Sequence, residues 1–463
     1  MQVQPHKLAR RDFLRTSGAL LVGTAASSAL LAACGQAPAA SAPTTAPAAQ
    51  PTVAVAGATT GPAAAQKTKI RWIEWITPEI SEEKMQGVLN AFYATDAGRS
   101  IEIERISLPF AQVRDRMVAM NLAGAVPDIL NMNGPWAVEL AEQGVLEPLN
   151  TYLAQAGKDW VSNLVQGPMQ PWKGQTYLVP LTSIPFLLFY NEKKLAAAGF
   201  SDPPRTWAEV ESMGPKLTDR TKNTFCYASG MAAQDPYNGP EIELFPLIYQ
   251  SNDTVLKDGK PNLTSPAAVK AVSEWLKLVN DLKVYAPGAL TSIEKDKLEA
   301  FGAEQTALMW SNVAHVTVLG QRSANLKFGL APLPQGDTFG TVLTGWNTSL
   351  AKGSKEKKAA WEFIYWLTSA DGNARMTLAA KHLPGNTTAD VSEMFQADPR
   401  LKVPLDILGQ GRVFMEAAGL PETTTLWRIL TEAVQDAANK KKSTEEALAS
   451  ANTDWTTVLQ KYA

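Results

Sequence analysis

From residue 68 onward, short runs of β-forming residues alternate with longer runs of helical spacing, and few architectures accept that order. "KIRWIEWIT" (Lys69–Thr77) alternates and is rich in Ile and Trp, which predicts a first strand. From Glu79 to Thr95, the residues Met85, Val88, Leu89 and Phe92 fall on one helical face. "SIEIERISL" (Ser100–Leu108) alternates again as a second strand, and Val113–Ala123 returns to helical spacing. "VPDILNMN" reads as a short buried strand, followed by a helix over Trp136–Gln143 that Gly144 stops. Strand, helix and strand at this spacing imply βαβ units, and so an α/β chain with a mostly parallel sheet.

The later chain carries clear helix punctuation. Thr206-Trp207-Ala208-Glu209 is a capping box. Ser265 stands before Pro266, an N-cap with proline at the first helical position, and Val269, Val272, Trp275, Leu276 and Val279 follow on one face. Ala359–Thr368 is an aromatic-rich helix, and Ser369 caps the next. Ser443–Tyr462 closes the chain as a helix with Leu448, Trp455 and Leu459 inward. Trp275, Trp361, Trp366 and Trp455 sit at helical spacing and read as core.

Residues 68–463 are enough chain for two cored lobes. The 43 Lys and Arg stand against 45 Asp and Glu, and without residues 1–33 the balance is 39 to 44. That leaves no basic footprint for nucleic acid. The cysteines are Cys34 and Cys226, so once Cys34 is modified no internal disulfide can form. His6, His315 and His382 have no zinc-site spacing, and neither GxxxxGK[ST] nor GxSxG occurs. No cofactor or metal is expected.

The N-terminus reads as an address rather than as fold. Lys7, Arg10, Arg11 and Arg15 form a positive region ahead of the apolar run Leu20–Ala33. Arg10-Arg11-Asp12-Phe13-Leu14-Arg15 resembles the twin-arginine export motif. Leu31-Ala32-Ala33-Cys34 resembles a bacterial lipobox, which implies a signal peptide over 1–33, cleavage before Cys34 and lipidation of that cysteine. Residues 34–67 are mostly Ala, Pro, Thr and Ser with no charge before Lys67, too little apolar surface to offset ordering, so a disordered tether is expected. Together these place an anchored domain outside the cytoplasm, on the membrane's periplasmic or outer face.

Several ordered segments resemble the extracellular solute-binding proteins of family 1, the receptors of bacterial ABC importers that include maltodextrin-type binders. They are "VPDILNMNGPWAVELAEQGVLEPLN", "WKGQTYLVPLTSIPFLLFYNEKKLAAAGFSDPPRTWAEV", "LKDGKPNLTSPAAVKAVSEWL", "FGAEQTALMWSN" and "GWNTSLAKGSKEKKAAWEFIYWLTS". Glu304-Gln305 stands where the family has Gly-Lys, and Thr344-Gly345 where it has Gly-Gly. The resemblance implies a two-lobe periplasmic-binding-protein-like fold of type II, with a hinge and an inter-lobe cleft. Lobe 1 would take 68–182 and 311–348, lobe 2 would take 186–305 and 352–463, and "PLTSIP" and "LMWSN" would be crossings. It implies a carbohydrate ligand, permease subunits in the membrane as partners, a monomer, and no catalysis.

Ligand sites favour domain interfaces and the carboxyl ends of sheet strands. The candidates there are Trp75 and Thr77 at the end of the first strand, Asn133 and Trp136 after "VPDIL", Thr182, Ser183 and Tyr190 around the first crossing, Trp310 and Asn312 at the second, and Gly345, Trp346 and Asn347 in the late loop. Aromatic faces suit the C–H face of a sugar, and amides and hydroxyls suit its hydroxyl groups. Core, turn and capping roles compete at each, and Gly345 competes as a positive-φ position. Asp128, and Asp235, Tyr237 or Glu241 in "AAQDPYNGPEIE", are further contacts against strand-end and solvated-loop alternatives. Arg412, Arg428 and Lys381 have no local support as contacts. Two other functions stay open: a secreted, lipid-anchored glycoside hydrolase, and a receptor for a non-sugar solute such as a glycerol phosphodiester or polyamine.

Overall fold

Ile70, Trp72 and Ile73 are fully buried where the first strand crosses the core, and because successive side chains point to opposite faces, both faces of the strand are covered. The computed structural model describes residues 67–234, 239–323, 325–410, 412–414 and 420–462. Cys34, the tether and the loop positions Asp235 and Tyr237 lie outside the described residues. In chain order the strands are β1 (Thr68–Glu74), β2 (Ile101–Ser107), β3 (Ile129–Asn133), β4 (Val179–Pro180), β5 (Thr182–Asn191), β6 (Phe225–Tyr227), β7 (Leu256–Lys257), β8 (Lys260–Pro261), β9 (Thr306–Asn312), β10 (Phe328–Ala331), β11 (Thr341–Thr344), β12 (Trp346–Leu350), β13 (Leu383–Pro384) and β14 (Val413–Phe414).

Two larger sheets carry the two lobes. The first has the order β2-β1-β3-β12-β4, with β2, β1 and β3 parallel and β12 antiparallel to both its neighbours. The second has the order β14-β11-β5-β9-β6, and β10 and β13 also pair with β5. Every partner of β5 runs antiparallel to it, while β6 and β9 are parallel. A parallel sheet therefore describes β2-β1-β3, and the long β5 imposes the opposite sense on its own neighbours.

Helices close both sheets. On the first, Phe363 of the helix Lys357–Leu367 meets Trp72 edge-on at 5.3 Å and Phe92 of the helix Glu82–Tyr93 at 4.9 Å. On the second, Trp427 and Trp455 stack at 5.6 Å between the two C-terminal helices, and the Trp455 indole N–H donates to the Leu426 carbonyl at 2.7 Å. The expected caps form: Thr206, Ser265, Ser369 and Ser443 each accept from a backbone N–H in the first turn. The expected helix 79–95 is instead two, Ile76–Ile80 and Glu82–Tyr93, because Ser81 leaves helical space at φ 112° and its hydroxyl turns to accept from the Lys84 N–H.

Strand pairing divides the chain differently from the boundaries the resemblance suggested. Residues 311–344 do not join lobe 1, because β9, β10 and β11 are all laddered onto β5. Nor do 357–380 join lobe 2, because their helices pack on the first sheet through Trp72 and Phe92. A third crossing lies between the helix Ala370–Ala380, on the first sheet, and β14, on the second, and the other two fall at Leu181, between β4 and β5, and at Gly345, between β11 and β12. They run side by side: the Leu181 N–H donates to the Trp346 carbonyl at 2.8 Å, and the Trp346 N–H donates to Thr182 Oγ1 at 2.8 Å. Gly345 has no positive φ; glycine is required because a Cβ would stand 2.2 Å from the Thr182 carbonyl oxygen. Gly345→Ala is expected to destabilise the chain by about 1–3 kcal/mol, as overpacking against backbone does, measured as a lower urea midpoint.

Candidate functional site

The registers fix where the strand ends lie. β1, β2 and β3 are parallel, so Glu74, Ser107 and Asn133 end on one edge of the first sheet. Trp346 pairs with Asn133, which puts the Gly345 crossing on that same edge. In the second sheet β5 starts at the crossing, and Asn312 pairs with Phe186 near that start. Because β6 is parallel to β9, Tyr227 and Asn312 end on the crossing side as well. The two sheets thus turn the carboxyl ends of β1, β2 and β3 and of β6, β9 and β11 toward the hinge and each other, and the cleft lies between them.

On the first-lobe side, Glu74 is fully buried and organises the turn after β1. Its carboxylate accepts from the Thr77 N–H at 2.8 Å, from the Thr77 hydroxyl at 2.7 Å and from the Ser107 hydroxyl. Arg105 donates to Thr77 Oγ1 at 2.8 Å and to Glu82 at 3.1 Å. Beside this network stand three aromatic rings. Trp75 meets Phe110 and Trp136 edge-on at 5.2 and 5.6 Å, and Phe110 stacks on Trp136 at 5.2 Å. Phe110 is 38 % exposed, an apolar face open to solvent, while the Trp136 indole N–H is buried without a partner among the described residues. The turn Gly134–Trp136 also touches the second-lobe helix Thr423–Ala438.

Across the cleft, Ser311 bonds His315 Nδ1, and His315 Nε2 lies 3.4 Å from Glu294. Burial first, then the Lys297 and Arg322 charges, pushes His315 down to about 3, so it is neutral near pH 7. Burial first, then the Glu294 and Glu74 charges, pushes Glu79 up; this residue keeps solvent contact, which limits the rise. Glu79 belongs to the first lobe and Glu294 to the second, so this repulsion acts between the lobes. Glu241 is buried and pushed up to about 7. At the hinge, His382 lies 4.3 Å from the Trp346 ring, and burial pushes it down to about 3.

Trp75, Thr77, Asn133 and Trp136 are brought together at the first sheet's edge, with Asn312 at the second's, where its side chain caps the Ala314 N–H at 3.0 Å. Thr182, Ser183, Gly345 and Trp346 form the crossing itself, and Ser183 donates to the Pro384 carbonyl at 3.1 Å. Asn347 is fully buried and donates to the Gly345 carbonyl at 3.1 Å. Trp310 is buried against Trp207 at 4.6 Å and Tyr227 at 5.7 Å, on the core face of β9. Tyr190 is not brought to the cleft, because β5 carries it to the sheet's far edge, over Gly329. Asp128 holds the Arg71 N–H at 2.8 Å and bonds Ser354, a strand-end role. Arg412 is held by the Phe339 carbonyl at 2.7 Å, and Arg428 by Glu432 at 2.9 Å. A surface hollow of about 590 Å³ beside Arg220, Phe225 and Lys283 includes the N-terminal end of β6, away from the facing strand ends.

Sequence reasoning missed Phe110, Glu294 and Lys297, and weighed His315 and His382 only as zinc ligands. Glu294 and Lys297 were legible in principle, as charges sharing one helical face with Leu298 and Phe301.

The profile of bacterial extracellular solute-binding proteins matches residues 77–374. The chain belongs to that family. A maltotriose-binding protein of Pyrococcus abyssi is 23 % identical over 69 % of this chain and 67 % of its own. A solute-binding protein of Thermotoga lettingae, solved with α-D-tagatose, superposes with a TM-score of 0.73 at 20 % identity, covering 85 % of this chain and all of that one. The UgpB protein of Mycobacterium tuberculosis, solved with glycerophosphocholine, superposes at 0.72 and 20 % identity, over 85 % of this chain and 99 % of that one. These likenesses show the fold: two lobes with a cleft between them.

His382 yields a test of this solute-binding protein's hinge. Its pKa falls from 6.5 to about 3 on folding, so the unfolded chain binds the extra proton between those values. Stability held by neutral His382 is complete above about pH 6.5 and is lost as pH falls toward 3, at about 1.4 kcal/mol per pH unit. His382→Gln is expected to remove that share of the slope from the urea midpoint measured over pH 4–6.5, leaving the like contribution of His315 and the opposing contribution of Glu241 in both proteins.

Proposed function

We propose that this solute-binding protein is the sugar receptor of an ABC importer, held at the outer face of the cell membrane by a lipid on Cys34. One observation carries the reading. The cleft edge joins the exposed ring of Phe110, backed by the buried rings of Trp136 and Trp75, to a buried polar network built on Glu74, Thr77, Ser107 and Arg105. A pyranose offers the same two surfaces, an apolar C–H face and a rim of hydroxyls. The maltotriose and tagatose bound by the relatives support that class.

The sugar contacts both lobes at once and therefore favours the closed arrangement over the open one. Closure presents a joined surface to the permease subunits, and the chain works as a monomer without turnover. The proposed contacts are Trp75, Thr77, Asn133, Trp136 and Asn312, with Thr182, Gly345, Trp346 and Asn347 setting the hinge that brings them together, and Phe110 as a further platform.

A matching sugar is expected to raise the melting temperature, as any ligand specific for the native state does. Phe110→Ala is expected to weaken that sugar by roughly tenfold, equal to about 1.4 kcal/mol, by calorimetric titration. Binding only by glycerophosphocholine or polyamines overturns the sugar class, and release of reducing ends from an oligosaccharide overturns the non-enzymatic reading. For the anchor, Cys34→Ser is expected to move the protein from the membrane fraction to the soluble fraction.

A further inference from the structure

The hollow at the N-terminal end of β6 is built where a regular helix gives out. The helix Pro266–Leu276 runs on into one wide turn of π-helical form, Lys277–Asp281, and Lys283 then takes left-handed backbone at φ 52°. Such wide turns are uncommon, and they recur at functional sites. Val279 and Asn280 of this turn line the hollow, with Arg220 and Asn223 ahead of β6 and the loop that runs from Lys283 to Thr291.

Hydrogen bonds tie these walls together. Asn280 donates to the Ala438 carbonyl at 3.0 Å, Gln435 to the Leu290 carbonyl at 2.8 Å, and Arg220 to the Lys283 carbonyl at 3.1 Å. The hollow is therefore held open by the fold itself. Its volume of about 590 Å³ is that of an ordinary small-molecule site.

The lining has two characters. Phe225, Tyr285 and Ala289, each less than a tenth exposed, supply apolar surface together with Val279 and Leu290. Arg220 and Lys283 are exposed on its rim, and no acidic side chain among the described residues lines it. Arg220 gives one N–H group to the Lys283 carbonyl, so its guanidinium lies against the Lys283 backbone with the rest of its donors free to turn to a guest. Asp219, beside Arg220, is occupied: it accepts from the Thr221 hydroxyl at 2.6 Å and pairs with Lys222 at 2.9 Å. Asp281 is exposed and does not line the hollow. Lys440, Lys441 and Lys442 follow the helix end that Asn280 holds. Across residues 219–223, 279–291 and 436–442, six cations stand against three carboxylates, in a chain whose acids outnumber its bases.

These two characters select a guest together. A cation is repelled by the rim. A neutral solute leaves Arg220 and Lys283 to water, and an inorganic anion leaves the apolar floor wet. An acid group carried on a compact apolar body uses both: its oxygens take the guanidinium and the ammonium, and its body covers the floor.

We propose that this hollow is a second ligand site, at the opposite end of β6 from the cleft, for a small amphiphilic anion, a carboxylate or phosphate on an apolar body. No cleft residue enters it, so the proposal stands apart from the sugar-receptor reading.

The probe is phenyl phosphate, titrated calorimetrically into the unchanged protein and into the double variant Arg220→Gln, Lys283→Gln. Inorganic phosphate and benzyl alcohol serve as the two halves of the probe. Phenyl phosphate is expected to bind saturably, about tenfold or more tighter than either half, and to lose about tenfold or more in the double variant. Both substituted side chains are exposed, so the urea midpoint is expected to be the same in both proteins, and a lost affinity then reads as a lost contact. The strongest-binding neutral sugar is expected to bind both proteins alike. Absence of saturable phenyl phosphate binding, or equal binding by both proteins, overturns the site. Inorganic phosphate or benzyl alcohol binding as tightly as phenyl phosphate overturns the amphiphilic class. Binding to phosphatidylglycerol vesicles that the double variant abolishes, with no binding of the free probe, overturns a small-solute site in favour of membrane contact.

Discussion

The structure depends on two strands that pass between the lobes bonded to each other. Leu181 and Trp346 exchange backbone contact, Thr182 Oγ1 takes the Trp346 N–H, and Gly345 lies flat against the Thr182 carbonyl. A third segment locks them: Asn373 donates to the Leu181 carbonyl at 2.8 Å and accepts from the Asn386 N–H at 2.9 Å, holding Leu383–Pro384 on β5. A paired ribbon resists shear but bends at the few residues between the sheets, so a hinge is its softest motion. The same ribbon sets the polarity of both sheets, since each is built outward from a crossing strand. It thereby decides that carboxyl strand ends, with their turns and helix starts, face the cleft.

Local signals carried most of the element reading. Ser265 before Pro266, and Thr206 with Glu209, are caps whose partners lie within one turn, so nothing distant can overrule them. The same locality explains Ser81, where a serine inside an expected helix takes the cap role that its side chain favours. Lobe membership was the harder part. "LMWSN" looks like any buried strand, and whether it ladders with β5 or with β3 depends on residues more than a hundred positions away. The resemblance put the crossing at β9, ahead of β10 and β11, and only the register Leu188↔Trp310 shows where β9 belongs.

The candidate site was legible where function and strand termini coincide. Trp75 and Trp136 end strands or begin turns, and the parallel order of β1 and β3 brings them to one edge. Tyr190 has the same local look at the end of an equally clear strand, but β5 runs away from the hinge rather than toward it, and strand direction is not written in the residues themselves. Phe110 escaped notice because it stands behind Pro109 at the start of a helix, where an exposed ring has no periodicity to betray it. Lys297 escaped for the opposite reason. A charged residue on an amphipathic helix is ordinarily solvated, and only burial shows that this one is not.

The polar groups at the facing strand ends bear on how the two lobes stay responsive. A guest shifts an open–closed equilibrium only by the difference between its contacts in the two states. If every buried polar group were satisfied within the protein, closing the empty cleft would cost little, and the guest would add little to the preference. The repulsion between Glu79 and Glu294, which stand on opposite lobes, and the unmatched Trp136 indole at the cleft edge both raise the cost of closing on nothing. Each is a deficit that a hydroxyl-bearing guest can make good, so each enlarges the difference the guest makes. On the proposed reading, the incomplete hydrogen bonding of the cleft is what couples recognition to closure, and a better-satisfied cleft would bind less selectively.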